Sequence, residues 1–310
     1  MKEKKILLTG ANGQIGTALT KALREIHGTE NVIATDITEP KHKNEPFDFI
    51  DILNKVRLKE YIGDYKITQI YHLAAILSAS GELNPQKTWE VNMTGFLSIL
   101  DIAVELKLDK IFFPSTIAVY GPTTLRLNTP QHVSLEPGTV YGISKVAGEL
   151  WCNYYFKKYG LDSRSVRYPG IIGWQSIPQG GTTDYAVEMF HAAINGEKYE
   201  CFLKADTKLP MMYMPDAIRA TTELMEAEKD NIRVRTSYNL SAMSFSPSEL
   251  VDEIRKHYPR FELTYKPDHR QEIASSWSES IDDSSARADW DWDPEYDISK
   301  MTEDMINNLT

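Results

Sequence analysis

The chain has 310 residues and a formal net charge of −10, from 34 basic and 44 acidic side chains. This length suits one large core or two joined lobes, and the acidic balance argues against nucleic acid or an anionic membrane surface as a partner. The two cysteines, Cys152 and Cys201, provide neither a disulfide framework nor a metal set, so a reducing compartment is expected.

Targeting and membrane segments are not predicted. Charged residues at the amino terminus lead directly into an apolar run, without the pattern of a signal or transit peptide. No apolar run is as long as a membrane span. We therefore expect a cytoplasmic protein.

The first predicted elements are a strand over residues 5–9, a glycine-rich turn, and a helix whose apolar stripe covers residues 17–26. In this context the spacing of Gly10, Gly13 and Gly16 indicates a dinucleotide site. Gly10 permits the tight turn, Gly13 lets the backbone approach a pyrophosphate, and Gly16 lets the helix pack closely on the strand. The turn residues expected to contact the cofactor are Gly10, Asn12, Gly13, Gln14 and Ile15.

The second predicted strand, residues 31–36, ends in Asp36. A carboxylate at this position accepts hydrogen bonds from the adenosine ribose and repels a 2′-phosphate. Because no arginine follows closely, the sequence favours NAD over NADP. The alternative is that Asp36 only caps a turn.

The later elements of the first half alternate in the same way: a strand over 69–75, a helix over 85–107, a strand over 110–115, a helix from 141 to about 159, and a strand over 163–168. This alternation predicts an α/β fold with a doubly wound parallel sheet. Ligands bind at the carboxyl ends of such strands, so we expect Gly10, Asp36, Ala74, Ser115 and Pro169 to meet at one crevice. His72 is explained more simply as a core histidine than as a catalytic one.

Tyr141 and Lys145 lie one helical turn apart, on the same face of the predicted helix. A nearby ammonium lowers the pKa of a phenol, so Lys145 is expected to make Tyr141 a proton acceptor for an alcohol. Taken alone, such a pair is more often an exposed helical pair.

Beyond Gly170 the pattern changes to short, mixed segments. A loop at residues 179–184 leads into a helix through Ala193, and the acidic, aromatic stretch 289–294 is expected to be a packed tail. We expect a dinucleotide-binding domain over 1–170 and a smaller lobe over 171–310, mainly substrate-binding, with some segments returning to the first domain.

These motifs together resemble the extended short-chain dehydrogenase/reductases, a family with a Rossmann sheet that includes the nucleotide-sugar epimerases. The resemblance implies NAD(P) chemistry on a secondary alcohol, with Tyr141 as base, Lys145 lowering its pKa and Thr116 binding the reacting oxygen (Ser115 if the alignment is displaced by one). It places Asp51 and Ile52 by the adenine and has Asn92 support the active-site helix. The further residues that it assigns to the cofactor are Leu73, Ala74, Ala75, Asn92, Ser115, Tyr141, Lys145, Tyr168 and Pro169.

Within this family, the chain resembles the epimerase-like group of L-threonine 3-dehydrogenases in several stretches. These include residues 77–79, 114–118, 137–142, 180–186 and 212–216. This resemblance implies NAD-dependent oxidation of the 3-hydroxyl of L-threonine to 2-amino-3-oxobutanoate. The substrate contacts that it suggests, besides Thr116 and Tyr141, are Ser78 and Thr183, with Ser80, Thr182 and Trp277 as weaker candidates.

Two other functions stay open. A nucleotide-sugar epimerase or reductase could use Arg233, Arg235 and Arg270 for a diphosphate, and a non-catalytic dinucleotide sensor is the second alternative. A zinc-dependent dehydrogenase is excluded because the cysteines and histidines give no tetrahedral ligand set, so no metal is expected. The resemblance also implies a homodimer through the helices at 91–106 and 141–159, unless the aromatic side chains at 150–156 pack inside one subunit.

Overall fold

The computed structural model describes residues 4–40, 45–175 and 181–310, so residues 179 and 180 of the predicted loop lie outside the described residues. The strands are β1 (Ile6–Thr9), β2 (Val32–Asp36), β3 (Phe47–Phe49), β4 (Gln69–His72), β5 (Lys110–Thr116), β6 (Asp162–Tyr168), β7 (Gly170–Ile172), β8 (Tyr199–Cys201), β9 (Leu209–Tyr213), β10 (Tyr238–Asn239), β11 (Met243–Phe245) and β12 (Leu263–Tyr265). The α-helices are α1 (Gln14–His27), α2 (Lys55–Asp64), α3 (Ser78–Gly81), α4 (Pro85–Trp89), α5 (Phe96–Glu105), α6 (Val140–Tyr159), α7 (Tyr185–Asn195), α8 (Met214–Glu226), α9 (Pro247–His257), α10 (His269–Ser275), α11 (Ser284–Trp290) and α12 (Ile298–Leu309).

The chain forms two compact units. The first comprises Met1–Thr116, Gly138–Arg167 and Ile218–Tyr238, and the second comprises Ile117–Pro137, Tyr168–Ala217 and Asn239–Thr310. The expected functional division at residue 170 stays a prediction.

A seven-stranded sheet of order β10-β6-β5-β4-β1-β2-β3 organises the first unit. β1 pairs in parallel with β2 and β4, β2 with β3, and β4 with β5. This confirms the predicted α/β fold with a parallel sheet. Since the paired strands run in the same direction, β1, β2, β4 and β5 all end at one edge of the sheet.

The strands β1, β2 and β5 of this sheet are largely apolar and buried, as expected where both faces of a sheet are covered. Leu7, Ile70 and Phe113 lie in one core cluster with Phe96 of α5. His72 belongs to this core, where its Nδ1 lies 2.8 Å from the Thr9 hydroxyl and its ring stacks on Phe96. Burial lowers the pKa of His72 to about 3, with a smaller contribution from the charge of Lys145, so the ring is neutral.

The helix predicted over 85–107 is helical but interrupted. A π-helical turn at Glu90–Gly95 separates α4 from α5. Such a wide turn inserts one residue into the helical repeat and commonly marks a functional position. It contains Asn92, which the resemblance implicates in support of the active-site helix.

The second unit contains a three-stranded sheet of order β11-β9-β7 and a two-stranded sheet of β12 and β8. β7 is parallel to β9, and β11 is antiparallel to it. The acidic, aromatic tail is packed as expected: Trp290 and Trp292 are both buried, and the Trp292 indole donates to the Ser241 carbonyl at 3.3 Å.

Candidate active site

The glycine turn after β1 is shaped by close backbone contacts. Gly10 has a φ of +74°, and a Cβ there would lie 2.5 Å from the Ala74 nitrogen. A Cβ at Gly16 would lie 2.2 Å from the Gly10 carbonyl oxygen. Any side chain at these two positions would displace the loop after β4 or the start of α1. The turn therefore has the close packing that a dinucleotide site requires.

The amino terminus of α1 suits an anion. Its first turn contains no acidic side chain, and Gly13, which precedes it, is exposed. The positive end of the helix dipole therefore lies at an exposed turn, where it favours a pyrophosphate. These features fit the phosphates of NAD.

Asp36 lies beside this turn with its carboxylate fixed. Its Oδ2 accepts from the Asn12 backbone N–H at 3.1 Å, while its Oδ1 accepts from the Thr38 N–H and hydroxyl at 3.1 and 3.0 Å. Asn12 also donates its side-chain amide to the Thr38 carbonyl at 2.7 Å. The half-buried carboxylate is thus held at the edge of the turn, where a ribose diol could reach it.

The predicted adenine residues lie on the loop after β3. Ile52 is buried and packs so closely on Gly95 that a Cβ there would lie 2.6 Å from the Ile52 Cδ1. Asp51 is exposed, and its Oδ1 accepts from the Leu53 N–H at 2.9 Å. Their contact with adenine stays a prediction.

Tyr141, Lys145 and Thr116 come together as predicted from the sequence. The Thr139 hydroxyl caps α6 by accepting from the Gly142 N–H at 3.1 Å, which places Tyr141 in the first turn. Tyr141 is hydrogen-bonded to the Thr116 side chain at the end of β5. The Lys145 Nζ lies 5.5 Å from the centre of the Tyr141 ring.

The electrostatics of this pair differ from the expectation. Burial raises the pKa of Tyr141 to about 12, and the Thr116 hydrogen bond lowers it by less. Burial lowers the pKa of Lys145 to about 7, against opposing contributions from Cys152 and Glu149. In the protein alone, burial outweighs the expected lowering of the Tyr141 pKa, because desolvation disfavours the charged forms of both side chains. The role of Tyr141 as the base stays a prediction.

Asn92 links the π-helical turn to the active-site helix. Its amide accepts from the Ile76 N–H at 2.8 Å and donates to the Ile76 carbonyl at 3.0 Å. The same amide donates to the Ser144 hydroxyl at 3.2 Å, and Ser144 donates to the Tyr141 carbonyl at 2.7 Å. Sequence reasoning missed Ser144, which connects Asn92 to the backbone of the tyrosine.

Ser115 is not available as a substitute for Thr116. Its hydroxyl donates to the buried Glu149 carboxylate at 2.5 Å. Glu149 also accepts from Arg167 of β6 through two hydrogen bonds of 2.9 and 2.7 Å. Sequence reasoning missed this ion pair, although the spacing of Glu149, one turn beyond Lys145 on the same face of the helix, was a usable signal.

The predicted substrate residues fall in both units. In the first, Ser78 begins α3, and the exposed Ser80 donates to the Leu77 carbonyl at 3.3 Å. In the second, Thr182 is buried and Thr183 is half-buried just before α7. The other residues assigned to this unit are Tyr168, Pro169 and Trp277, all of them buried. Their roles stay predictions.

Two of the arginines that could serve a nucleotide sugar already have partners. Arg235 donates to Asp162 at 2.6 Å and to the Lys229 carbonyl at 2.8 Å. Arg270 makes a two-pronged ion pair with Asp268 and lies over the Phe202 ring, 3.2 Å from its centre. These contacts disfavour a diphosphate site built from Arg235 and Arg270.

Neither a metal site nor a membrane-spanning helix is present in the part of the chain that the structure describes. No group of three His, Cys, Asp or Glu side chains there is arranged to hold a metal ion. Among the same residues, no helix combines the length and the apolar character needed to cross a bilayer.

Comparison with known proteins gives three kinds of match. Residues 6–241 match the model of the NAD dependent epimerase/dehydratase family. An uncharacterized epimerase/dehydratase of Staphylococcus saprophyticus is 47% identical over 311 aligned positions, covering 99% of this chain and 97% of the relative.

Two solved structures are similar along the whole chain. The holo form of a GalE-like L-threonine dehydrogenase from Cupriavidus necator is 51% identical, with a TM-score of 0.97 and coverage of 99% of this chain and 100% of that one. A monomeric L-threonine 3-dehydrogenase from a metagenome is 52% identical, with a TM-score of 0.95 and coverage of 98% of each chain.

Proposed function

This chain belongs to the NAD-dependent epimerase/dehydratase family, and on that premise we propose that it oxidises the 3-hydroxyl of L-threonine to 2-amino-3-oxobutanoate. The family and the glycine turn together make it an NAD-binding oxidoreductase. The observation that carries the proposal is the hydrogen bond between Tyr141 and Thr116 beside a buried lysine. The choice of substrate is supported by full-length likeness to enzymes described as L-threonine dehydrogenases.

Tyr141 and Thr116 would act on the substrate oxygen. The two side chains now bond to each other. A substrate hydroxyl placed between them would find a hydrogen-bond donor and an acceptor at the same position. Tyr141, once deprotonated, takes the hydroxyl proton as the C–O bond becomes a carbonyl, while Thr116 holds the oxygen in place. NAD, when bound, supplies the hydride acceptor and a positive charge that favours the phenolate.

Lys145 would supply the cation that the base needs. Its Nζ donates to the Pro114 carbonyl at 2.7 Å and lies over the Phe113 ring, 4.6 Å from its centre. This fixed position sets the distance at which the charge acts on the phenol. With a pKa of about 7, Lys145 is only partly charged at neutral pH in the protein alone. An anionic or polar ligand nearby would therefore increase its protonation and, through it, the acidity of Tyr141.

The proposal is tested by NADH formation, followed by absorbance with L-threonine, L-allo-threonine, L-serine and UDP-galactose in parallel. We expect NADH with L-threonine and a loss of several orders of magnitude in Tyr141→Phe, with NAD binding retained. Tyr154→Phe is the matched control, because it removes a half-exposed phenol from the same helix. Epimerisation of UDP-galactose without oxidation of threonine would reject the proposal.

The surface of α6 and the two cysteines bear on assembly and location. The helix α6 exposes Leu150 and Tyr154, which are 58% and 43% accessible, and Cys152 and Tyr155 point into the core. We propose that α5 and α6 form a two-fold contact between subunits, although one similar enzyme is described as monomeric. Light scattering on a size-exclusion column measures this directly, and a monomer would contradict it. Both cysteines are free and buried, consistent with the cytoplasm.

A further inference from the structure

We propose that Glu149 is a positioning residue for this reaction: a buried carboxylate, fixed by Ser115 and Arg167, that keeps Lys145 in place and charged beside Tyr141. The inference rests on the proposed function, because it assigns Glu149 a role through the lysine of the proposed catalytic pair.

Three bonds join β5 to α6 in one contact. Three consecutive strand residues, 114–116, each bond to one of three helix residues spaced four apart: Lys145, Glu149 and Tyr141. This spacing puts the three side chains on one face of the helix. A shift of α6 along β5 would break all three bonds together. Glu149 is thus built into the same contact that holds the base and the cation.

The close approach of the helix makes this register possible. Gly148 packs directly on Phe113, where a Cβ would lie 2.3 Å from the ring carbon Cζ. No other residue would let α6 lie so near the strand without displacing that ring. The short distance brings the Lys145 and Glu149 side chains to the backbone and hydroxyl of β5.

Glu149 is almost inaccessible, and both of its carboxylate oxygens are paired. It is 1% exposed, and its partners Ser115 and Arg167 are 2% and 3% exposed. Its carboxylate accepts two hydrogen bonds from Arg167 and one from Ser115. A buried carboxylate needs this pairing to remain charged. The arrangement therefore maintains an anion deep in the helix–sheet interface.

Several charged and titratable groups face Lys145. On α6 they are Tyr141, Cys152 and Glu149, and from β4 the group is His72, which is neutral. Burial raises the pKa of the Cys152 thiol, so it is neutral as well. Within this set, Glu149 is the carboxylate, and it is ion-paired with Arg167. It opposes the effect of burial, which lowers the pKa of Lys145.

Removal of the Glu149 charge would have two effects on Lys145, and both would lower its proton affinity. The lysine would lose its favourable anion, and the buried Arg167 of β6 would lose its ion pair with the Glu149 carboxylate. Both changes disfavour the ammonium form of Lys145. The phenol of Tyr141 would then lose the positive charge that assists its deprotonation.

Glu149→Gln is the direct test, because the amide preserves size and can still accept from Ser115. Lysine Cε carbons are labelled with ¹³C in the ligand-free protein and titrated by NMR, and the Lys145 signal is identified by its absence in Lys145→Arg. We expect a midpoint near 7 in the parent protein and a proton affinity about tenfold lower in Glu149→Gln. The protonated fraction at pH 7 would fall from about half to about one tenth. The threonine kcat should fall with it, at little change in KM.

Two further variants separate this role from a structural one. Glu105→Gln, which removes an exposed partner of Lys59, should leave the Lys145 titration unchanged. Glu149→Gln combined with Arg167→Met removes the buried pair as a whole and should regain stability. It also keeps the proposal testable if the single variant does not fold. We expect its Lys145 midpoint to stay below that of the parent.

The inference is overturned if Lys145 titrates alike in the parent and in the folded Glu149 variants. The same holds if the double variant recovers full activity together with stability, since Glu149 would then be structural only. Failure of the proposed function gives another result: no NADH from threonine in the parent protein, whatever the Lys145 titration shows.

Discussion

The glycine turn can be tested by a single methyl group. In Gly16→Ala the new Cβ would lie 2.2 Å from the Gly10 carbonyl oxygen and 2.9 Å from the Ala11 backbone. Contacts below 3.0 Å are not tolerated, so the start of α1 must move by about 1 Å. Overpacking of this kind costs about 1–3 kcal/mol.

This cost can appear in two measurable quantities. If the turn keeps its geometry, strain lowers the free energy of unfolding; if it relaxes, the pyrophosphate contacts are lost and NAD binds more weakly. Full relaxation corresponds to a rise in the NAD dissociation constant of about 5- to 150-fold. Calorimetric titration with NAD measures the loss of binding free energy, and urea unfolding of the same sample measures the loss of unfolding free energy. We expect the two losses to add up to about 1–3 kcal/mol.

Gly63→Ala is the matched control for this experiment. Gly63 lies in α2, and apart from the adjoining helix backbone nothing lies within 4 Å of an added Cβ. Alanine there should leave NAD affinity unchanged and stabilise the fold by about 0.4–1 kcal/mol. If Gly16→Ala binds NAD as tightly as Gly63→Ala and is no less stable, the turn does not have the tight packing described here.

Two other changes test the cofactor preference and the ion pairs of the first unit. Asp36→Asn removes the charge that opposes a 2′-phosphate, an effect worth about 1–2 kcal/mol. The ratio of kcat/KM with NADP to kcat/KM with NAD should therefore rise about tenfold. An unchanged ratio would mean that Asp36 does not select the cofactor. Burial raises the pKa of Asp162, but hydrogen bonds and charges from Arg164 and Arg235 hold it below its ordinary value. Its stabilising effect is therefore present above the unfolded pKa of about 3.9 and lost as the pH falls through the lower folded pKa. Urea midpoints below pH 4 should decline less steeply in Asp162→Asn, and parallel declines would contradict this.

Local sterics explain why the first part of the fold could be predicted from the sequence. The turn at Gly10 and Gly16 depends on contacts that only glycine permits, and the apolar strands of a parallel sheet are recognisable individually. The π-helical turn around Asn92 could not be predicted in this way, because the residue is held by Ile76 and Ser144, which are distant in the sequence. The sheet of β7, β9 and β11 likewise depends on pairing between distant segments.

In the candidate site, too, local spacing could be predicted, and effects that arise only in the folded chain could not. The spacing of Tyr141 and Lys145 was sufficient to predict that they share a helix face, and the family resemblance placed Thr116 nearby. Their protonation could not be predicted, because it depends on burial, which opposes the charge effect on which the sequence argument relied. Glu149 and Arg167 were missed since their pairing joins α6 to β6 only in the folded chain.

The central claim is that the Tyr141 phenol is the proton acceptor for the 3-hydroxyl of L-threonine. The most direct measurement is the single-turnover rate of NADH formation with saturating L-threonine and NAD, compared between the parent protein and Tyr141→Phe. The account predicts a loss of several orders of magnitude with the NAD dissociation constant preserved. A rate in Tyr141→Phe within a few-fold of the parent would contradict it.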